Sequence, residues 1–256
     1  MTKLPPLSRT TSFSTPGSPF LTRVALREAR IEPGTYPFDI PILSNGLTLA
    51  LSTPVTFLVG ENGSGKSTLL EALAWRVGFD AEGGNRDNHY AEGADGHALG
   101  GALDLQWRQR TTIGFFLRAE TFYNFSARLE SAGDSFSVYG GESFQSKSHG
   151  EAFLSLFEHR FEDGLYILDE PEAALSPQRQ LAFLRILHRL TTPRIAQFVI
   201  ATHSPMLLAF PGATVLSLDG ASIEAMDYRD TDHYLLTRDF LDAPERFFRH
   251  LFDESP

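Results

Sequence analysis

The sequence predicts an α/β fold with a mostly parallel core sheet, and three observations predict it. Apolar runs at Thr56–Val59, Leu165–Leu168 and Phe198–Ala201 are short and continuous, as expected of strands buried on both faces. Stretches of helical period lie between them, with Leu69, Leu70, Leu73 and Ala74 after the first run and Leu181, Leu184, Leu187 and Leu190 before the third. Strands alternating with helices point to a parallel sheet. The first run also ends in Gly60-Glu61-Asn62-Gly63-Ser64-Gly65-Lys66-Ser67, the G-x-x-x-x-G-K-[ST] pattern of a strand-to-helix loop.

The 256 residues, 42% hydrophobic and 21% charged, suffice for one full core with an appended lobe. The expected organisation is a Ser/Thr/Pro-rich tail at 1–19, then a single domain over 20–256 whose lobe spans roughly 102–162. Cysteine is absent, so there is no disulfide framework, and a reducing cytoplasm is compatible with the chain. No apolar run reaches bilayer length and the first residues hold no apolar signal core, so direct membrane insertion is not expected. A net charge of −10 repels nucleic acid, which stays possible only through a local basic patch. Arg179, Arg185, His188, Arg189 and Arg194 could form such a strip, although a solvated helix face is the simpler reading.

In chain order, Leu21–Ile31 favours a strand over a helix and Leu47–Leu51 reads as a strand, an N-terminal β portion ahead of the Gly60 loop. The helix from Lys66 ends near Gly78. Residues 80–101 carry six glycines among Asp, Asn and His and read as a loop, whose His89, Glu92 and His97 fit no metal-ligand spacing. Leu103–Trp107 and Ile113–Leu117 read as strands, and Thr121 as the cap of a helix carrying Phe122, Phe125 and Leu129. A helix follows over Gly150–Phe161. Ser176 and Pro177 form a helix start. Thr214–Leu218, Asp219-Gly220 and Ala221–Glu224 read as a hairpin around a tight turn. Short helices at Tyr234–Phe240 and Glu245–Phe252 close the chain.

The loop chemistry is specific. Glycines let the backbone curl so that the N–H groups of Gly60 to Thr68 point at one centre, and the helix starting at Lys66 adds the positive end of its dipole. A polyphosphate fits there, with Lys66 on the β- and γ-phosphates and the Ser67 hydroxyl on Mg²⁺. The run Leu165–Leu168 ends in Asp169-Glu170. A strand end places Asp169 to hold the same Mg²⁺, and Glu170 to accept a proton from a water attacking the γ-phosphate. His203 closes the run Phe198–Ala201, at the strand ends where α/β sheets keep their chemistry, and is the candidate γ-phosphate sensor.

On these residues the chain resembles the ABC-type ATPases. Gly60–Ser67 is similar to their Walker A loop, Leu165–Glu170 to their Walker B strand with catalytic glutamate, Pro171–Ser176 to the D-loop and His203 to the switch histidine. Ser148-His149-Gly150-Glu151, 21 residues ahead of Asp169, resembles the signature motif. The resemblance covers about residues 20–215. It implies a P-loop NTPase head with a mostly parallel core sheet, an N-terminal antiparallel portion and a small helical signature lobe. It also implies ATP and Mg²⁺ as ligands and a homodimer in which Ser148 and Gly150 touch the nucleotide of the other protomer. The departures are Ser176 in place of the family's aspartate, His149 in place of a small residue, and no Q-loop glutamine after Ile113–Leu117, where Glu120 is the nearest candidate.

The run Leu168–Pro177 looks like the soluble, transporter-independent ATPases near the SMC, RecF and OLD groups, many known only as AAA-family ATPases. Tyr36-Pro37-Phe38 and Asp242–His250 look like one small stand-alone group of them. Only 80 residues separate Ser67 from Ser148 and they lack heptads, so the expected form is a head without a coiled-coil arm. About forty residues after Leu216 leave no room for a nuclease domain. Three functions follow in order: an ATP-switched dimer acting on an unknown macromolecular partner, the ATP-binding subunit of a membrane transporter, and a P-loop kinase.

Overall fold

The computed structural model describes residues 17–79, 98–120, 149–160 and 163–252. Its centre is a six-stranded sheet in the order β5-β6-β7-β3-β8-β9. The strands are β3 (Val55–Val59), β5 (Gly114–Arg118), β6 (Gly164–Asp169), β7 (Ala196–Ala201), β8 (Thr214–Ser217) and β9 (Glu224–Met226). All neighbours pair in parallel except β8 with β9. A second, antiparallel sheet of β1 (Leu21–Leu26), β2 (Thr48–Ala50) and β4 (Leu103–Trp107) has the order β2-β1-β4. This is the α/β fold with an antiparallel N-terminal portion that the sequence predicts.

Two cores sit on the two faces of the parallel sheet. One joins α2 (Lys66–Val77) and the antiparallel sheet through Leu58, Leu69, Leu73, Leu49 and Val24. The other joins α4 (His149–Arg160) and α5 (Pro177–Thr191) through Phe57, Phe153, Phe157, Phe183 and Phe198. Phe157 lies 4.7 Å from Phe153 and 4.8 Å from Phe183, ring to ring. Such pairs contribute about 0.5–1.5 kcal/mol each beyond burial, so α4 is fixed against α5. Gln197, fully buried inside β7, accepts from the N–H groups of Phe20 and Leu21 and donates to Leu21 O. The amide thereby ties the first strand of one sheet to the middle of the other.

Several expectations are corrected. Residues 17–19 are not tail: Ser18 is buried and donates its N–H to Arg194 O at 2.7 Å. The predicted loop 80–101 ends early, because Ala98–Ala102 is a short helix, α3; its earlier residues lie outside the described ones, as do Thr121, Phe122, Phe125 and Leu129. The buried stripe of α5 is Phe183, Ile186, Leu187 and Leu190, and Leu181 is exposed. A strict spacing of three residues drifts by about 60° per step on a 3.6-residue helix, so Leu181 and Leu190 face opposite ways. Ser176 precedes α5 without making a side-chain cap bond. The β8–β9 hairpin exists, but Ser217 pairs with Glu224 across a six-residue connection, 218–223. No tight turn forms, because Asp219 is turned to the loop at Gly60.

Of the basic strip, Arg179 pairs with Glu151 at 3.0 Å and Arg194 Nε donates to Ser18 O. Among the described residues, no helix is long and apolar enough to cross a membrane.

Candidate functional site

The site lies at the carboxyl ends of β3, β6 and β7, where the parallel strands release their chains on one side of the sheet. The Gly60–Ser67 loop leaves β3 and enters α2. Gly60, Gly63 and Gly65 have φ of 151°, 86° and 96°, conformations that only glycine adopts without strain. A Cβ on Gly60 would stand 2.7 Å from Ser64 Oγ. Gly65 begins α2 without a side-chain cap, so the first N–H groups of the helix face the loop's interior, as an anion site requires. Lys66 is buried and its Nζ donates to Gly60 O at 2.6 Å and Glu61 O at 2.9 Å. The ammonium is thus held at the loop mouth by carbonyls. Burial depresses its pKa, against the upward pull of Glu170, Asp219, Asp169 and Glu172.

Asp219 is the residue that sequence reading missed. Its Oδ1 accepts from Glu61 N–H at 2.7 Å, and Ser217 Oγ donates to its Oδ2 at 3.2 Å. It braces the start of the loop from β8. The only signal in the sequence was an Asp-Gly pair that also describes a turn. Asn62, Gly63 and Ser64 border a cavity of about 370 Å³ that Asp219 and Asp232 complete. Thr68 Oγ1 is 3.3 Å from the hydroxyl of Tyr36.

Asp169 ends β6, 5% exposed. Burial pushes its carboxyl up to about 6, opposed by a hydrogen bond from Ser67 and the charge of Arg118, and reinforced by Glu170 and Glu71. Its Oδ1 is buried with no hydrogen-bond partner. Ser67 hydroxyl, a carboxylate oxygen of this kind and phosphate oxygens are the hard donors that Mg²⁺ takes, and a nearby cation would favour the ionised carboxylate. The donor set therefore fits the ion. Among the described residues no cluster of three His, Cys, Asp or Glu could hold a metal, so Ser67 and Asp169 could hold Mg²⁺ only together with other oxygen ligands such as phosphate or water.

Where a Q-loop glutamine was expected, β5 ends in Arg118. It is in register with Asp169, with Nε 3.6 Å from Oδ2, and it also pairs with Glu71 on α2. Glu120, the residue suggested for that role, is 79% exposed and reaches only the outer side of Arg118 at 3.8 Å.

Glu170 is left-handed, at φ 49° and ψ 53°, which costs on the order of 1 kcal/mol for a residue with a Cβ. Its N–H donates to Ala201 O at 3.0 Å, which holds the turn. His203, on the loop after β7, puts Nε2 3.4 Å from Glu170 Oε1, a charge contact longer than a well-formed hydrogen bond. Its N–H donates to Glu172 Oε1 at 2.6 Å. Burial lowers its pKa below 6.5, with Lys66 and His233 adding to the shift and Glu170 opposing it. Burial likewise raises the pKa of Glu172.

The structure thus gathers Gly60 to Thr68, Asp169, Glu170 and His203 in one place. Ser148 lies outside the described residues. Gly150, in the first turn of α4, packs elsewhere: a Cβ there would meet Arg179 Nη1 at 2.5 Å and Ala174 O at 2.9 Å.

The family described as "AAA domain" matches residues 38–138, and the one described as "AAA domain, putative AbiEii toxin, Type IV TA system" matches residues 151–209. No curated protein matches the sequence. Similar solved structures include the SMC head domain from Thermotoga maritima, at 15% identity and TM-score 0.44 over 81% of this chain and 98% of that one. Another is a putative metal-chelate type ABC transporter in an inward-facing conformation, at 18% identity and TM-score 0.48 over 84% and 87%. A third is cbiO1 from Clostridium perfringens, part of the ABC transporter complex cbiONQ, at 14% identity and TM-score 0.47 over 90% and 98%. The two AAA-domain matches follow one another along the chain and, with a loop and sheet of this geometry, support a P-loop ATPase of the AAA/ABC class.

Proposed function

We propose that the chain hydrolyses ATP with Mg²⁺ and uses the cycle to switch a macromolecular partner, as a dimer closed around two nucleotides. The observation that carries this reading is the convergence of Lys66, Asp169, Glu170 and His203 at three adjacent strand ends. Phosphoryl transfer needs little from a protein beyond positioning and charge. Lys66 and the N–H groups of the loop bind the β- and γ-phosphates and stabilise charge building on the leaving oxygen. Glu170 orients a water in line with the γ-phosphorus and takes its proton as the P–O bond to ADP breaks. His203, neutral, offers a ring N–H to a γ-phosphate oxygen. Bound Mg²⁺, held by Ser67 and Asp169, neutralises phosphate charge.

Glu170 is half-exposed at the mouth of the site, so one chain alone leaves its water open to solvent. A second copy presenting Ser148 closes the site. ATP then favours the dimer, because it makes γ-phosphate contacts across the interface that ADP lacks. The test combines two variants. Lys66→Ala loses tight ATP binding by calorimetry with the fold kept. Glu170→Gln binds ATP but hydrolyses it about 10²-fold more slowly or worse, and runs as an ATP-dependent dimer in light scattering. Full hydrolysis by Glu170→Gln would place the base elsewhere, and a monomer at saturating ATP would remove the sandwich.

A further inference from the structure

The last helices of the chain return to the nucleotide site. Thr231 caps α7 (Asp232–Asp242) by accepting from Tyr234 N–H, and its side chain donates to Tyr228 O. This fixes the first turn of α7, which carries His233, beside the loop after β7. His233 Nε2 lies 2.8 Å from His203 Nδ1, with the rings edge to face and their centroids 4.5 Å apart. At that separation the two nitrogens share one proton.

Which ring owns the proton follows from the other side of His203. If His203 Nδ1 carried it, a neutral ring would turn the bare lone pair of Nε2 toward the Glu170 carboxylate, 3.4 Å away. If His233 donates instead, Nε2 carries the hydrogen and meets that carboxylate with an N–H. The second arrangement is favoured, since Nε2 is buried without a hydrogen-bond partner and the group nearest it, the Glu170 carboxylate, can only accept. The groups facing His203 are Lys66 from α2, Glu170 and Glu172 from the turn after β6, and His233 from α7. Burial and then Lys66 lower the pKa of the ring, which favours the neutral form in which a tautomer can be selected.

We propose that His233 is a positioning residue for the ATPase site: its Nε2–H donates to His203 Nδ1 and holds the switch-like histidine as the Nε2–H tautomer, ready to donate to a γ-phosphate oxygen. This rests on the ATPase reading above for its catalytic consequence, but the tautomer itself does not. It also makes the C-terminal helices a required part of the site.

The test uses the full chain labelled with ¹⁵N-histidine, with the His203 ring signals identified from a His203→Gln spectrum. Wild type shows His203 as the Nε2–H tautomer at pH 7.5. His233→Phe keeps a ring but no donor, and His203 becomes a tautomer mixture. His233→Gln restores a donor and the Nε2–H form. In hydrolysis assays His233→Phe lowers kcat on the order of tenfold, leaves KM for ATP within about twofold, and His233→Gln recovers most of the rate. A His203 that stays Nε2–H in His233→Phe overturns the proposal, as does wild-type His203 protonated on Nδ1. A wild-type protein with the predicted tautomers but no hydrolysis would instead sink the ATPase reading and leave the donor assignment standing. If His233→Phe fails to fold, a His203 tautomer unchanged in folded His233→Ala overturns the proposal equally.

Discussion

Arg118 and Asp169 sit opposite each other at the ends of β5 and β6, in register, with the guanidinium Nε 3.6 Å from the carboxylate Oδ2. A guanidinium therefore stands beside the carboxylate proposed to hold Mg²⁺. Arg118 lowers the pKa of Asp169. Arg118→Met should move the pH midpoint of Mg²⁺·ATP binding upward by about half to one unit. Calorimetry between pH 5.5 and 8.5 reads this, and an unmoved midpoint would show that the pair does not act on the metal site.

Asp169 also makes stability depend on pH. Its folded pKa of about 6 lies above the ordinary 3.8. Between those values the unfolded chain releases the proton first, so the ligand-free protein loses stability as pH rises and levels off above the folded value. Asp169→Asn lacks that loss. Its stability relative to wild type should rise by about 2–3 kcal/mol from pH 4 to pH 7, measured by urea unfolding without nucleotide or metal. A pH-independent difference would mean that the carboxyl is not desolvated as described.

Asp219→Ala removes the acceptor for Glu61 N–H. The loop loses its brace from β8 while its glycines and Lys66 remain. ATP affinity should fall about three- to tenfold, in line with the loss of roughly 1 kcal/mol of loop order. The same variant should leave the far-ultraviolet circular dichroism spectrum unchanged. Wild-type affinity in Asp219→Ala would reduce the contact to a structural detail.

Gly150→Ala tests the join between α4 and the turn after Glu170. The Cβ would lie 2.9 Å from Ala174 O, a backbone atom with little room to move. Overpacking of this kind costs about 1–3 kcal/mol. Thermal unfolding should drop by several degrees, and a wild-type melting temperature would show that the helix start yields freely.

The strands, helices and candidate site positions that follow a local rule were legible in the residues. Gly60–Ser67 signals its loop because only that glycine spacing admits the curl, and Asp169-Glu170 and His203 announce themselves by ending apolar runs. Local patterns failed where a contact joins distant segments. Gln197, which no sequence pattern singled out, is the clamp between the sheets. The Gly-rich loop, the parallel sheet and the acids and histidine at its strand ends can be read along the chain, since each depends on neighbouring residues. That Arg118 opposes Asp169, that Asp219 braces the loop 158 residues away and that His233 meets His203 emerges only once the chain is folded. Those pairings are set by sheet register and helix docking, which bring side chains together without leaving any periodic trace in the sequence.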